Sequence, residues 1–234
     1  MHPKMQAKAM ISQHPLDLSD FGFYEEQKED LVVSSSHFKT CKHIDVLIKT
    51  IPSIHKFDKD IKFEIYGGGI EYYYMSGSLE KRKIRYKIGE NWIWEEALGS
   101  GMEYKGRVSQ EILKDAYKRA KLVTDLSTWK QQGGMEGLNY VVLECIKYGG
   151  IPVIRRDNIL KPMWEDKNFI IVEEEESSFF GLTTLEQNLT QQILSGIKNF
   201  DEQEFDIIRS KNRDILFEYY DCEVVSRKIL ERLK

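Results

Sequence analysis

The chain has 234 residues, 41% of them hydrophobic and 31% charged, and a formal net charge of −4. That is ordinary globular composition, enough for one large domain with appendages or two small ones. It excludes a global basic field for nucleic acid or an anionic membrane, and no apolar run approaches the ~20 residues of a membrane span.

In chain order, the first residues, "MHPKMQAKAM", lack the apolar stretch of a secretion signal. "NLT" at Asn188 is therefore read as a chance glycosylation acceptor. Cys41, Cys145 and Cys222 are dispersed and form no C-x-x-C pair, which fits a reduced, cytosolic compartment. From residue 30 two periods alternate. "DLVVSS" (30–35) predicts a short strand. "KHIDVLIKTIPSI" (42–54) predicts a helix with Ile44, Leu47, Ile48 and Ile51 on one face. "IKFEIYGGG" (61–69) predicts a strand running into a glycine turn, and "MEYKG" (102–106) another strand. Between them, residues 76–100 interrupt the rhythm and read as an insertion, helical in part, with Trp92 and Trp94 seeking cover. "SQEILKDAYKRA" (109–120) predicts a helix capped by Ser109, with Ile112, Leu113, Ala116 and Tyr117 on one face. "KLVTDLS" (121–127) is a strand. "GLNYVVLECIKY" (137–148) is a helix ended by Gly149 and Gly150. "IPVIR" (151–155) and "NFIIVE" (168–173) are strands. "TTLEQNLTQQILSGI" (183–197) opens on a capping box, Thr183 to Glu186. Helices over 201–219 and 221–233 follow. Strands alternating with helices of this length predict an α/β fold, a doubly wound and mostly parallel sheet with helices on both faces.

The block "GGMEGLNYVVLECIKYGGIPVI" (133–154) carries the functional signal. In open α/β sheets, ligands sit at the carboxyl ends of the strands. The helix beginning near Gly137 turns its N–H groups and positive dipole end to that crevice, where a diphosphate is a natural guest. Gly137 lets the backbone approach it. Glu136, at the helix entry, reaches what lies beyond the phosphates. Glu144 lies eight residues on, about 80° round the helix, at a depth that suits the two hydroxyls of a ribose. Several other features read as structural. Asp58-Lys59-Asp60 lies in a polar turn, so no metal is assigned. Residues 67–69 form neither G-x-G-x-x-G nor a phosphate-binding loop of the Walker type, so neither NAD nor ATP is indicated. Tyr72–74 read as core aromatics and His37 as a loop histidine. No zinc-ligand spacing and no G-x-S-x-G element occurs.

Glu136-x₇-Glu144 followed by "YGGIPVI" resembles the E-x₇-E block and following strand of retaining family-four glycosyltransferases of the GT-B fold. "KHIDVLIKT" (42–50), "FEIYGGG" (63–69) and "YKGRVSQEILKDAYKRAKLVTDLS" (104–127) are similar to that family's other strand–helix junctions, in the same order. "ISQHPLDLSDFG" (11–22) resembles its interdomain linker. The resemblance covers about residues 11–200. It implies a linker remnant over 1–29, a Rossmann-like nucleotide-sugar-binding domain over 30–200, and C-terminal helices over 201–234 that pack on this domain or on a missing N-terminal half.

By position, the resemblance gives Glu136 the donor sugar's hydroxyls, Glu144 the ribose and Lys42 the diphosphate. Backbone N–H groups at Leu138, Asn139 and Tyr140 line the phosphates, and Gly106, Arg107 and Val108 frame the base. Where the family has Gly-Arg, this chain has Ser36-His37, leaving Lys39 or Arg107 to replace the arginine. The usual second glycine of the glutamate block is Asn139, and "TWKQQGGM" (128–135) is longer than usual. The implied protein holds a nucleoside-diphosphate (NDP) sugar as donor substrate, without a further cofactor, and transfers the glycosyl group to a hydroxyl of a glycan, lipid or other acceptor. It works in the cytosol, or at a membrane through a partner. With no acceptor domain ahead of the linker, the expectation is a fragment or a split enzyme whose acceptor half is a separate polypeptide. The rival expectations are a non-catalytic nucleotide-binding or scaffold subunit and the sugar-nucleotide epimerase branch of the fold.

Overall fold

The computed structural model describes residues 15–19, 21, 27–38, 40–68, 97, 99–127, 140–156, 168–173, 184–198 and 200–233. Six strands form one sheet: β1 (Glu29–Ser35), β2 (Lys62–Tyr66), β3 (Met102–Gly106), β4 (Ala120–Asp125), β5 (Ile151–Arg155) and β6 (Ile170–Val172). Every pairing is parallel, and the order is β3-β2-β1-β4-β5-β6. The order reverses between β1 and β4, so the chain leaves their carboxyl ends in opposite directions and opens a crevice there.

The helices among the described residues are α1 (Ile44–Phe57), α2 (Gln110–Arg119), α3 (Tyr140–Lys147), α4 (Thr184–Lys198), α5 (Glu202–Tyr219) and α6 (Cys222–Leu233). Strand alternation assigns them to faces. Val32, Phe63, Ile65, Leu122, Ile151 and Val153 point to a core closed by α1 and α4. Leu31, Val33 and Val123 point the other way, to Ala116 and Tyr117 of α2 and Cys145 of α3. Ile154 joins that face beside α3 and α5. This is the doubly wound arrangement the alternation predicts.

Local rules place most boundaries. Ser109 caps α2 by accepting the Ile112 N–H. Of the apolar face expected there, Ala116 and Tyr117 are buried and Leu113 packs against them, but Ile112 is 53% exposed. At 3.6 residues per turn it stands about 90° from the mean direction of the other three. Gly149, at φ 76, ends α3; its N–H donates to the Ile146 carbonyl, and that of Gly150 to the Cys145 carbonyl at 2.9 Å. That is the left-handed stop the glycine pair predicts. Lys42 does not begin α1; it ends a 3-10 turn, Thr40–Lys42, and His43 follows in the left-handed region at φ 48. The described part of α3 starts at Tyr140, since 128–139 lie outside the described residues. So do Thr183, Tyr72–74, Trp92 and Trp94, and nearly all of 76–100. Glu186, expected to complete a capping box, accepts from Lys49 of α1 at 2.6 Å and so ties α4 to α1.

The segment 15–19 docks beside the last helices. The Leu16 N–H donates to the Tyr220 carbonyl at 2.7 Å, and its carbonyl accepts from the Cys222 N–H at 3.0 Å. Leu16 and Leu18 share a core with Val142, Leu143, Leu216 and Tyr220. Thus α5 packs on α3 of this domain, and α6 packs on α5. No helix among the described residues is long and apolar enough to cross a membrane.

Candidate functional site

The site is the crevice at the carboxyl ends of β1 and β4. On the face covered by α2 and α3, Ser35 ends β1 and Asp125 ends β4, both buried. Ser35 is hydrogen-bonded through Oγ to the hydroxyl of Tyr117, which stands 1% exposed at the end of α2. Burial pushes the Tyr117 hydroxyl far up, so it stays protonated, and the charges of Glu144 and Asp125 add to that shift.

Glu144 is flanked on its helix by Val141, Cys145 and Tyr148, all packed in the Tyr117 core. Its carboxyl is only partly accessible. Burial raises its pKa, and the nearby Lys147 ammonium moderates the rise. Among the described residues its carboxylate has no hydrogen-bond partner. A half-buried carboxylate in that state favours hydrogen-bond donors that arrive from outside.

Lys42 enters from the other side of the crevice. Its Nζ donates to Ser127 Oγ at 3.0 Å. The Ser127 N–H donates to Asp125 Oδ1 at 3.1 Å, and the Ser127 hydroxyl donates to the same oxygen. Lys42 lies just ahead of α1, and His43 supplies no side-chain cap to that helix. A cation and a helix N-terminus therefore lie side by side at the switch point, the combination that favours an anion.

The third wall joins the ends of β1, β2 and β3. The Phe38 N–H donates to the Gly68 carbonyl at 2.9 Å, and the Gly67 N–H to the Gly106 carbonyl at 2.8 Å. Tyr104 donates its hydroxyl to the Gly67 carbonyl at 2.9 Å and packs edge-on against Phe38. Gly67, at φ 133, admits no side chain: a Cβ there would meet the Ser36 carbonyl oxygen at 1.9 Å. The Arg107 guanidinium lies over Gly68, its Nε 3.3 Å from where a Cβ would be.

Of the residues singled out in the sequence, Glu144 and Lys42 flank the switch point, and Tyr140 stands exposed at the first described residue of α3. Gly106, Arg107 and Val108 form the β3 wall. His37 is exposed on the loop after β1. Glu136, Gly137, Leu138, Asn139 and Lys39 lie outside the described residues. Asp58 and Asp60 sit between α1 and β2, before the amino end of β2 and so at the opposite end of the strands from the crevice. There Asp58 accepts from the Asp60 N–H and pairs with Lys198 at 3.1 Å. Sequence reasoning missed Asp125, Ser127, Ser35 and Tyr117. For Ser35, Asp125 and Ser127 the one signal is polar residues closing otherwise apolar strands; Tyr117, on the apolar face of α2, carries none.

Residues 19–179 match the family described as Glycosyl transferases group 1. No curated protein sequence matches the chain. Among solved structures the chain is similar to a mutant of S. aureus TarM in complex with Fondaparinux, alpha-GlcNAc-glycerol and UDP, at 18% identity and TM-score 0.62, covering 91% of this chain and 37% of that one. It is similar to Anabaena Alr3699/HepE in complex with UDP and glucose, at 17% identity and TM-score 0.61, covering 88% and 48%. It is also similar to the GtfA/B complex, at 16% identity and TM-score 0.63, covering 94% and 39%. At such identities the likeness shows the fold, and the chain spans less than half the length of each of these chains.

Proposed function

The chain belongs to the glycosyl transferases of group 1 and has the α/β fold of a GT-B glycosyltransferase domain, and from that premise we propose that it is the donor-binding domain of a retaining glycosyltransferase. The observation that carries the reading is Glu144: a half-buried carboxylate, raised by burial and without a hydrogen-bond partner among the described residues, opposite Lys42 at the switch point. Ribose hydroxyls donate to Glu144. Lys42 and the N-termini of α1 and α3 meet the diphosphate and stabilise it as it departs. Glu136 holds the sugar's hydroxyls, and the β3 wall frames the base. The acceptor hydroxyl attacks on the face from which the nucleoside diphosphate leaves. Several of the similar structures hold UDP, which makes UDP the first nucleotide to test.

The acceptor site belongs, in this reading, to a domain outside these 234 residues. The protein works in a reduced, cytosolic setting, which the three unpaired cysteines support. A second reading, a nucleotide-binding scaffold subunit, is favoured by Ser36-His37 standing where the family carries an arginine. Calorimetric titration of the chain with UDP, GDP, ADP and their sugars tests the common premise. Saturable binding of one of them supports it, and no binding of any at millimolar concentration contradicts both readings.

A further inference from the structure

Lys42 does not stand alone in the crevice. Its ammonium donates to Ser127 Oγ at 3.0 Å, and Ser127 donates its hydroxyl and its N–H to one oxygen of Asp125. Asp125 and Ser127 are 6% and 2% exposed, so this relay runs into the protein, away from the ligand space. Asp125 is the last residue of a strand whose neighbours Leu122 and Val123 are core. A buried carboxylate in that setting needs compensating donors, and here they come from the turn that follows the strand. The carboxylate draws the serine proton toward itself, which leaves the serine oxygen a stronger acceptor for the lysine. Lysine has a flexible four-carbon stem, and one fixed acceptor removes much of its freedom before a ligand arrives.

We infer that Asp125 is a positioning residue of the diphosphate site: through Ser127 it fixes the Lys42 ammonium at the switch point without itself touching the ligand. The inference rests on the donor-site reading above and adds to it a residue that sets phosphate affinity from behind.

The test titrates UDP and uridine into the native chain and into S127A, D125A, D125N, K42A and the double variant K42A/S127A. S127A and D125A should each weaken UDP about tenfold, the scale of one charge-assisted hydrogen bond, and leave uridine within about twofold. D125N, whose amide oxygen accepts the same two hydrogen bonds, should stay within about threefold of native. In the K42A background S127A should add no further loss, since the coupling runs through the lysine. A purely structural role would weaken UDP and uridine alike and would add to K42A, and either result overturns the inference. So does an S127A variant that binds UDP as the native chain does. If the native chain binds no UDP, the same titrations are made with whichever of GDP or ADP it binds, against the matching nucleoside; a native chain that binds none of the three removes the donor reading and this inference with it.

Discussion

Glu144 carries a cost to stability at the residue scale. Burial raises its carboxyl pKa above the ordinary value. A group raised on folding contributes stability that is fully present below its unfolded pKa and lost as pH rises through the folded one. At neutral pH, above the ordinary carboxyl pKa, Glu144 therefore costs stability. E144Q should melt higher than the native chain near pH 7, and the gap should close as pH falls to and below the ordinary glutamate pKa of about 4.3; parallel melting curves across that range check it. The same residue should serve the nucleotide. E144A should weaken free UDP and UDP-sugar alike, on the order of 1–3 kcal/mol. E136A should weaken only the sugar form. Calorimetry of both variants with both ligands distinguishes these roles, and equal losses for E136A would remove its donor-sugar assignment. Glu136 lies outside the described residues; the helix that carries Glu144 was readable from the sequence, because helical periodicity is local. Asp125, Ser127, Ser35 and Tyr117 were not, because their meeting depends on β1 lying beside β4, a pairing between strands far apart in the chain that no local pattern records.

The elements followed their local signals closely. β3 runs over the same five residues the pattern marks, and the glycine pair ends α3 in the left-handed geometry it predicts. The departures have physical causes: Ile112 lies on the flank of α2, and Lys42 ends a 3-10 turn that the left-handed His43 separates from α1. The turn after β2 shows what the sequence understated. "GGG" reads only as a turn, yet Gly67 is fixed by the carbonyl of Ser36, the residue just after β1. Gly67→Ala combines that overlap with a φ that L residues rarely adopt, so it should push β1 and β2 apart at the crevice wall. A loss of at least ~1–3 kcal/mol is expected from denaturant unfolding, with a parallel loss of UDP affinity. Gly106, also at positive φ but with no atom near its missing Cβ, should suffer only the backbone strain. Equal stability of the native chain and Gly67→Ala would show that the two strand ends are not locked together.

At the scale of the molecule, one parallel sheet opens a single switch point, with a carboxylate on one side and a lysine on the other. Positioning of two substrates supplies up to ~7–11 kcal/mol of such a barrier. A chain spanning less than half the length of the similar structures should therefore bind donor yet transfer sugar to an added acceptor at no appreciable rate. Robust transfer by the purified chain, followed by release of nucleoside diphosphate, would place the acceptor site within these residues. The most direct measurement is a crystal structure of the chain with UDP. Ribose hydroxyls are expected on the Glu144 carboxylate and phosphates beside Lys42 at the carboxyl ends of β1 and β4; UDP bound elsewhere, or that crevice empty at saturating UDP, would contradict the donor-site assignment.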